Sequence, residues 1–263
     1  MMSGLLFDAT RCIGCGACSA ACKEQNALPL PIEEKTTAYT WTVVENRNGV
    51  NIRRLCMHCL TPTCASVCPV GAMRKTASGP VVYDADKCIG CRYCIMACPF
   101  DVPKYQWDRP VPIVGKCVMC FSRLAEGKPT ACASVCPTGA TTFGERSALI
   151  REARSRIAAD PSRYVDHIYG LEEAGGTSVL MLAGVPFDQL GLRANLPREP
   201  LPLLTWRVLS KVPDIVLVGA TVLYGIHWIT KRREYVRHVE GAVEPPSPAR
   251  PRAGGTNSGG TPA

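Results

Sequence analysis

The 263-residue sequence has few aromatic residues, 6% of the chain, and only four histidines. So few large aromatic side chains leave little material for a large hydrophobic core, and some other form of cross-link is expected to stabilise the chain. The sequence contains no substrate-pocket motif and no glycine-rich nucleotide fingerprint of the GxGxxG type, which argues against a complete nucleotide-dependent enzyme. It also shows no twin-arginine segment and no apolar signal region before Cys12.

What the chain does have is cysteine: sixteen residues that fall into four groups of four. Groups one and three share one compact spacing, whereas the middle gap is longer in group two and longest in group four. Proline follows the last cysteine of groups two, three and four, and Lys23 follows that of group one. Repeats of this kind indicate internal duplication. In order, the groups are Cys12, Cys15, Cys18 and Cys22; Cys56, Cys59, Cys64 and Cys68; Cys88, Cys91, Cys94 and Cys98; and Cys117, Cys120, Cys132 and Cys136.

Group three, which ends in Cys98-Pro99, has the ligand spacing of a bacterial [4Fe–4S] ferredoxin. Three thiolates this close, on a loop kept tight by Gly90, can bind three corners of one cubane. The fourth cysteine enters a helix and turns away, so it serves a second cluster. One such run therefore predicts a partner run. Four groups predict two dicluster ferredoxin units and four [4Fe–4S] clusters, with no cysteine left over for catalysis.

Two other uses of cysteine compete with this interpretation. Paired CxxC units bind zinc, and an even number of cysteines in an exported protein can form disulfides. Zinc sites usually consist of two separated pairs, often with histidine, and do not need the compact three-cysteine run. His58 is the only histidine inside a group, and we interpret it as a neighbour rather than a ligand. Disulfides do not explain four recurrences of one pattern. A zinc-stapled membrane adaptor is the remote alternative.

The net charge of +8 suggests nucleic acid as a partner, but the sequence favours another explanation. Four anionic clusters would offset the basic excess, and basic groups near a cluster raise its potential by favouring the reduced form. No aromatic and basic surface of the single-strand type is evident, so no nucleic-acid partner is expected. The basic residues near the cysteine groups are Lys87, Arg92, Lys104, Lys116, Arg123 and Lys128.

Short strands and turns predict an α+β fold around the cysteines. Gly4–Asp8 is expected to form a strand, as is Val81–Tyr83. Residues Thr36–Val44 and Val50–Leu55 predict a β-hairpin closed by the turn Asn46–Gly49. Each cysteine group should lie on a loop that leads into a short helix. The predicted fold is a duplicated bacterial dicluster ferredoxin-like domain.

The segments between and after the cysteines carry no metal-ligand pattern. Phe121–Ala131 is predicted to be a loop inserted into group four and is a candidate docking surface. Ser147–Ala159 predicts a surface helix that Asp160-Pro161 ends. Val179–Leu182 predicts a strand, and the proline-rich stretch 197–202 predicts an extended connector.

A run of apolar residues near the end of the chain predicts one transmembrane helix. Ile215–Thr230 is close to the length that a span needs, and it is followed by Lys231-Arg232-Arg233. The basic flank places the carboxyl end in the cytoplasm and the cluster domain outside. The stretch Pro245–Ala263 has the composition of a disordered tail. The predicted division is a four-cluster ferredoxin-like domain (1–145), a partner-packing extension (146–205), a transmembrane anchor (206–233) and a disordered tail (234–263).

The order CIGCGACSAAC, CMHCLTPTCASVCP, CIGCRYCIMACP and CVMC…CASVCP resembles the four-cluster electron-transfer (β) subunits of membrane-bound oxidoreductases. This resemblance covers about residues 4–145. Gly175-Gly176-Thr177 with Val179–Pro186, followed by one span, is most similar to the HybA-type subunit of nickel–iron hydrogenases, and next to the β subunit of formate dehydrogenase N.

The resemblance implies that the first three cysteines of one group share a cluster with the last cysteine of its partner group. Groups one and four would pair, as would groups two and three. The implied ligand sets are Cys12, Cys15, Cys18 and Cys136 for the first cluster; Cys117, Cys120, Cys132 and Cys22 for the second; Cys88, Cys91, Cys94 and Cys68 for the third; and Cys56, Cys59, Cys64 and Cys98 for the fourth.

The resemblance also implies a function, that of a non-catalytic subunit conducting electrons through four clusters. One partner would be a catalytic subunit of the nickel–iron hydrogenase type, the other an integral membrane subunit that reacts with quinone. The alternative is the same role in a molybdenum or tungsten formate dehydrogenase or a dimethyl sulfoxide or polysulfide reductase. With no export signal, the folded chain is expected to reach the periplasm bound to a partner that carries a twin-arginine signal.

Overall fold

In the computed structural model, which describes residues 2–109 and 113–242, a three-stranded sheet joins distant parts of the chain. Strand β1 (Ser3–Asp8) is the central strand. It pairs antiparallel with β8 (Thr141–Glu145) and parallel with β9 (Val179–Leu182), so that Leu5 lies opposite both Phe143 and Val179. The predicted strands Gly4–Asp8 and Val179–Leu182 are therefore confirmed, and the sheet brings the two ends of the cysteine-rich region together.

Alternation along β1 sends its side chains to two different cores, because successive residues of a strand face opposite sides. Leu6 packs with Leu149 and Ala153 of helix α6 (Arg146–Ala159), the helix predicted from Ser147 onward. Leu5 and Phe7 instead share a core cluster with cysteines of groups one, two and four. The segment predicted to pack on a partner (146–205) thus contributes α6 to the first of these cores and β9 to both. Its contact with a partner remains a prediction.

Among the described residues, the structure also contains three two-stranded hairpins. The predicted first hairpin is confirmed at its turn, where the Asn46 side-chain oxygen accepts a hydrogen bond from the Gly49 N–H. Its first strand is much shorter than expected, however, because residues 36–42 form local bonds instead, such as the Thr37 N–H to the Thr40 carbonyl. The hairpins are β2 (Val43–Arg47) with β3 (Val50–Arg54), β4 (Met73–Lys75) with β5 (Val81–Tyr83), and β6 (Lys104–Tyr105) with β7 (Val114–Gly115).

A short helix follows the first cysteines of every group, as predicted. Proline restricts the residue before it to extended backbone, so the helices of groups two, three and four end before their Cys-Pro pair. Group one has Lys23 at the corresponding position, and its helix continues past Cys22 to Gln25. The four helices are α1 (Ala17–Gln25), α2 (Thr63–Ser66), α3 (Tyr93–Ala97) and α5 (Ala131–Ser134).

Two expectations for connecting segments were wrong. The predicted loop Phe121–Ala131 begins with helix α4 (Phe121–Ala125) and only then turns at Glu126 and Gly127. The stretch 197–202 is not extended to its end, because helix α7 (Leu201–Leu209) begins inside it. A proline is tolerated in the first turn of a helix, which explains why Pro202 does not prevent α7. One 3-10 turn, Glu173–Gly175, precedes β9.

The chain divides into two compact units, Met1–Arg207 and Val208–Ala263. In the second unit, helix α8 (Val212–Ala242) contains the predicted span. The helical stretch Leu201–Gly241 is long and apolar enough to cross a membrane, and none of its apolar window is buried in the protein. The expected disordered tail is wrong for residues 234–242, which are helical, and its remainder, 243–263, lies outside the described residues.

The second residue after the first cysteine has left-handed backbone in all four groups. In groups one and three this residue is glycine, Gly14 (φ +74°) and Gly90 (φ +72°). In groups two and four it is His58 (φ +50°) and Met119 (φ +55°). Left-handed backbone costs a residue with a Cβ about 1–2 kcal/mol. The same bend therefore forms in every cysteine loop, whether or not the sequence supplies a glycine.

We predict that Gly90→Ala destabilises the cluster domain more than Gly127→Ala does. The two glycines have nearly the same φ, +72° and +73°. A Cβ at residue 90 would lie 2.5 Å from the Tyr105 hydroxyl, whereas a Cβ at residue 127 would meet open space. Thermal unfolding and iron content of the two variants would measure the difference. Equal losses would show that the close approach to Tyr105 has no effect.

Candidate functional site

Three cavities of the first unit are each lined by four cysteines. Each takes three cysteines from one group and one from another, and none of the sixteen cysteines forms a disulfide. We refer to the four cysteines of a cavity as a quartet. Quartet A is Cys12, Cys15, Cys18 and Cys136; quartet C is Cys56, Cys59, Cys64 and Cys98; quartet D is Cys68, Cys88, Cys91 and Cys94.

The remaining four cysteines, Cys22, Cys117, Cys120 and Cys132, form quartet B, and all four are buried. The Cys22 thiol interacts electrostatically with those of Cys120 and Cys132, and the Cys117 thiol interacts with those of Cys22 and Cys132. Three members come from group four, and Cys22 comes from group one. The four quartets therefore have the same membership as the four ligand sets that the resemblance implied.

Interactions between quartets place them in the order A, B, C, D. Cys22 of quartet B interacts with Cys18 of quartet A. Cys117 of quartet B interacts with Cys56 of quartet C. Cys64 of quartet C interacts with Cys94 of quartet D. The two terminal quartets each have one exposed cysteine, Cys15 and Cys91 respectively, whereas no cysteine of B or C is exposed.

Burial makes eight of these sixteen thiols hard to ionise. It raises the pKa of both Cys22 and Cys64 to about 12, and it raises the pKa of Cys94 to about 11. A metal ligand must be the thiolate, so binding a metal centre here releases protons and compensates the buried negative charge. Sulfur-only donor sets of four suit iron–sulfur clusters. The residues present therefore fit one [4Fe–4S] cluster in each quartet.

Two thiols, those of Cys132 and Cys136, have a lowered pKa instead, and their neighbours explain why. Burial alone would raise the pKa of Cys132, but the neighbouring Arg53 guanidinium and the Thr130 hydroxyl bring it below the ordinary value. Burial also opposes ionisation of Cys136, yet hydrogen bonds from the Thr141 N–H (3.4 Å) and the Thr138 side chain lower its pKa. Hydrogen bonds to a thiolate favour the charged form.

Of the basic residues that the sequence singled out, one is buried. Lys116 lines the cavity of quartet C, and its Nζ donates to the carbonyl oxygens of Val81 (2.5 Å) and Cys117 (3.1 Å). The other five lie nearer the surface. Lys87, Lys104 and Lys128 form ion pairs with Asp84, Asp101 and Glu126; Arg92 lies over the Trp107 ring; and Arg123 donates to Pro129 and Gln25.

Sequence reasoning missed Arg53, a fully buried cation near the cysteines. This residue lies on β3, and its guanidinium interacts with Cys132 and Cys18. It also missed Lys75, whose pKa burial lowers to about 8 while Cys59 and Cys56 oppose that shift. Neither residue lies inside a cysteine group, so only the fold brings them to the quartets. For Arg53, the one available signal was an arginine on a strand of the predicted hairpin.

His58 is fully buried but does not line any quartet's cavity. Its Nδ1 accepts a hydrogen bond from the Val81 N–H at 2.9 Å, which fixes the loop of group two against strand β5. Burial lowers the pKa of His58, and the nearby Lys116 and Lys75 lower it further. The imidazole is therefore neutral and structural in this position, in line with the interpretation of His58 as a neighbour.

Comparison with known proteins finds two matches to family models described as 4Fe-4S dicluster domain, over residues 11–72 and 49–146. Together with the sixteen cysteines, these matches account for four [4Fe–4S] clusters. Zinc is not the metal of either matched domain.

Several proteins are similar over most of the chain. A protein of Nitratidesulfovibrio vulgaris is 44% identical, covering 91% of this chain and 70% of that protein. Hydrogenase-2 operon protein HybA of Escherichia coli O157:H7 is 37% identical, covering 72% of each. The formate dehydrogenase iron-sulfur subunit of Haemophilus influenzae is 33% identical, covering 86% of this chain and 79% of that protein.

Proposed function

Because this chain belongs to the family of iron–sulfur electron-transfer subunits of hydrogenase and formate dehydrogenase complexes, we propose that it conducts electrons between a hydrogenase-type catalytic subunit and a membrane subunit that reacts with quinone. The observation that supports this proposal is the order of the four quartets. Each quartet interacts with the next through a pair of cysteines, from A to D. A continuous series of this kind suits conduction through the chain.

Each quartet would ligate one [4Fe–4S] cluster, which supplies one-electron transfer when bound. The chain's own contribution is to hold the sulfur atoms and to exclude water. Quartets B and C are covered by the apolar core, in which Phe7, Ile52 and Met57 pack with Cys56 and Cys117. A dry, low-dielectric surrounding keeps the inner positions from reacting with solvent species.

The two terminal quartets would be the points of electron entry and exit. Cys15 of quartet A and Cys91 of quartet D are exposed. Apolar side chains are exposed beside both, Ile13 next to quartet A and Ile89 next to quartet D. Each end would therefore meet a different partner.

A nickel–iron hydrogenase is the catalytic partner that we propose, since the similar protein HybA is named for a hydrogenase operon. The similarity to a formate dehydrogenase subunit supports a second candidate, the same role beside a molybdenum or tungsten enzyme. The fold and the quartets are compatible with both. The metal of the catalytic subunit distinguishes the two.

The helix α8 would anchor the chain in the membrane, with Lys231, Arg232 and Arg233 on the cytoplasmic side. Basic residues at the end of a span favour the cytoplasm. The cluster-binding unit would then face the periplasm, and the proposed division of the chain has its transmembrane anchor at 206–233.

We predict that pairs of cysteine variants reveal which cysteines share a cluster. Cys12→Ala with Cys136→Ala changes two residues of quartet A and should remove one cluster, about four iron atoms of about sixteen. Cys12→Ala with Cys132→Ala changes quartets A and B and should remove about eight. Each pair combines one cysteine of group one with one of group four, so the pairs are matched. Equal iron loss from the two would contradict the ligand sets.

Metal analysis of the complex that co-purifies with this chain from detergent-solubilised membranes tests the catalytic partner. Nickel in stoichiometric amount alongside iron is the expected result. Molybdenum or tungsten in place of nickel would replace the hydrogenase with the second candidate. Absence of all three metals from a complex that retains its iron would contradict both.

The proposed orientation places the carboxyl end of the chain in the cytoplasm. A reporter protein that works only in the cytoplasm should therefore be active when it is fused after Ala263. Replacing Lys231, Arg232 and Arg233 together by glutamine should weaken this preference, because the basic flank determines it. Alkaline phosphatase, which is active outside the cytoplasm, is the complementary reporter. Phosphatase activity from the unaltered sequence would reverse the orientation.

A further inference from the structure

Arg53 carries a charge in a place where charge is costly. Its side chain is about 1% exposed and is the largest among the fully buried side chains of the described residues. Burying an ion costs several kcal/mol unless a partner compensates it. Its hydrogen-bond partners are two neutral hydroxyls, those of Thr42 (2.9 Å) and Thr141 (3.2 Å), and the Cys132 sulfur is one of its electrostatic partners. The compensating charge must therefore come from the sulfur side.

The sulfur atoms around this guanidinium belong to two quartets. Thr141, which accepts a hydrogen bond from Arg53, lines the cavity of quartet A and donates its own N–H to the Cys136 sulfur. Cys18 of the same quartet is an electrostatic partner of Arg53. Cys22, Cys120 and Cys132, all from quartet B, are others. Arg53 thus lies at the junction between A and B, where one fixed positive charge acts on both.

We propose that Arg53 raises the reduction potentials of the clusters at quartets A and B above the values that they would have without its positive charge. This inference rests on the proposed ligand sets. Reduction adds one negative charge to a cluster, and a nearby cation stabilises the more negative form. Because both clusters share the same cation, both reduction potentials are raised. The difference in potential between the two clusters therefore stays small.

Arginine suits this role better than lysine for two reasons. A guanidinium does not lose its proton in proteins, so its field does not change with pH. Its planar fork can donate to several acceptors in fixed directions, here the hydroxyls of Thr42 and Thr141. The two threonines hold the charge in place without neutralising it.

A purely structural role is the competing explanation, because Thr141 is on strand β8 and Arg53 is on β3, so that their bond joins two elements. Reduction potentials distinguish the two explanations. A structural contact affects stability and iron retention, whereas a fixed charge moves the potentials of clusters that remain fully assembled.

The neighbouring Arg54 provides a matched control. It is the next residue of the same strand, and its side chain faces the other way, donating to the carbonyl oxygens of Leu190 (2.8 Å) and Gly191 (3.0 Å). Arg53→Met and Arg54→Met remove the same formal charge one position apart. Any effect of net charge alone would be common to both variants.

The experiment is a redox titration of the detergent-solubilised complex, followed by electron paramagnetic resonance, with iron measured per chain. The Cys136→Ala and Cys132→Ala variants identify the signals of quartets A and B. In Arg53→Met with full iron content, we expect the reduced-to-oxidised ratio of both clusters to fall about tenfold at a given potential, about 59 mV for one electron. The signals of quartets C and D, and all signals of Arg54→Met, should keep their potentials.

Unchanged potentials at A and B in a fully loaded Arg53→Met complex would overturn the proposal. If this variant does not retain its iron, Arg53→Gln decides, because it also removes the charge but keeps an amide N–H that can donate to the threonine hydroxyls. Full iron with a drop at A and B supports the proposal; full iron with no drop, or loss of iron in both variants, overturns it. Fewer than four clusters in the unaltered complex would instead contradict the ligand sets.

Discussion

The structure depends on compensating the charge of sixteen cysteines within one small unit. Desolvation raises the pKa of eight of the thiols, to about 12 for Cys22 and Cys64, so those thiolates are unstable without a positive partner. Iron supplies that partner when the clusters are bound, and folding and metal binding are then linked. The scarcity of aromatic side chains follows from the same fact, because metal–sulfur bonds stabilise what a larger core would otherwise have to stabilise.

The central sheet joins distant segments of the chain around the cysteine groups. Strand β1 is at the beginning of the chain, β8 follows group four, and β9 comes after helix α6, yet the three are adjacent. One side of the sheet packs on α6, and the other packs against the cysteines of groups one, two and four. The segment after residue 145 is therefore part of the same structural unit as the clusters, which explains why similarity to known proteins extends well past the cysteine groups.

Exposure changes along the series of quartets in a way that suits electron transfer between partners. The terminal quartets A and D each present one exposed cysteine, while B and C are shielded. Buried cations lie at the inner positions, Arg53 between A and B and Lys116 at C. Cations near a cluster favour its reduced form, so these two side chains can raise the potentials at A, B and C.

The sequence by itself determined the cofactor, the family and the span. Thiolate spacing is a local property: Cys88, Cys91 and Cys94 can bind one cubane because they are close along the chain, and the apolar run of α8 is equally local. Short strands such as Val81–Tyr83 were predictable for the same reason. The pairing of the groups came from resemblance rather than from spacing, because spacing does not say where a fourth cysteine goes.

Only the tertiary structure decided what distant residues do together. The order of the quartets depends on contacts between groups, such as Cys117 with Cys56, and no local pattern encodes it. Arg53 is far along the chain from Cys18 and Cys132, so its charge reaches them only after the hairpin folds onto the cysteines. The shortened first strand of the hairpin has a different, local cause: residues 36–42 had strand composition, but side-chain and turn bonds formed among them in place of a ladder.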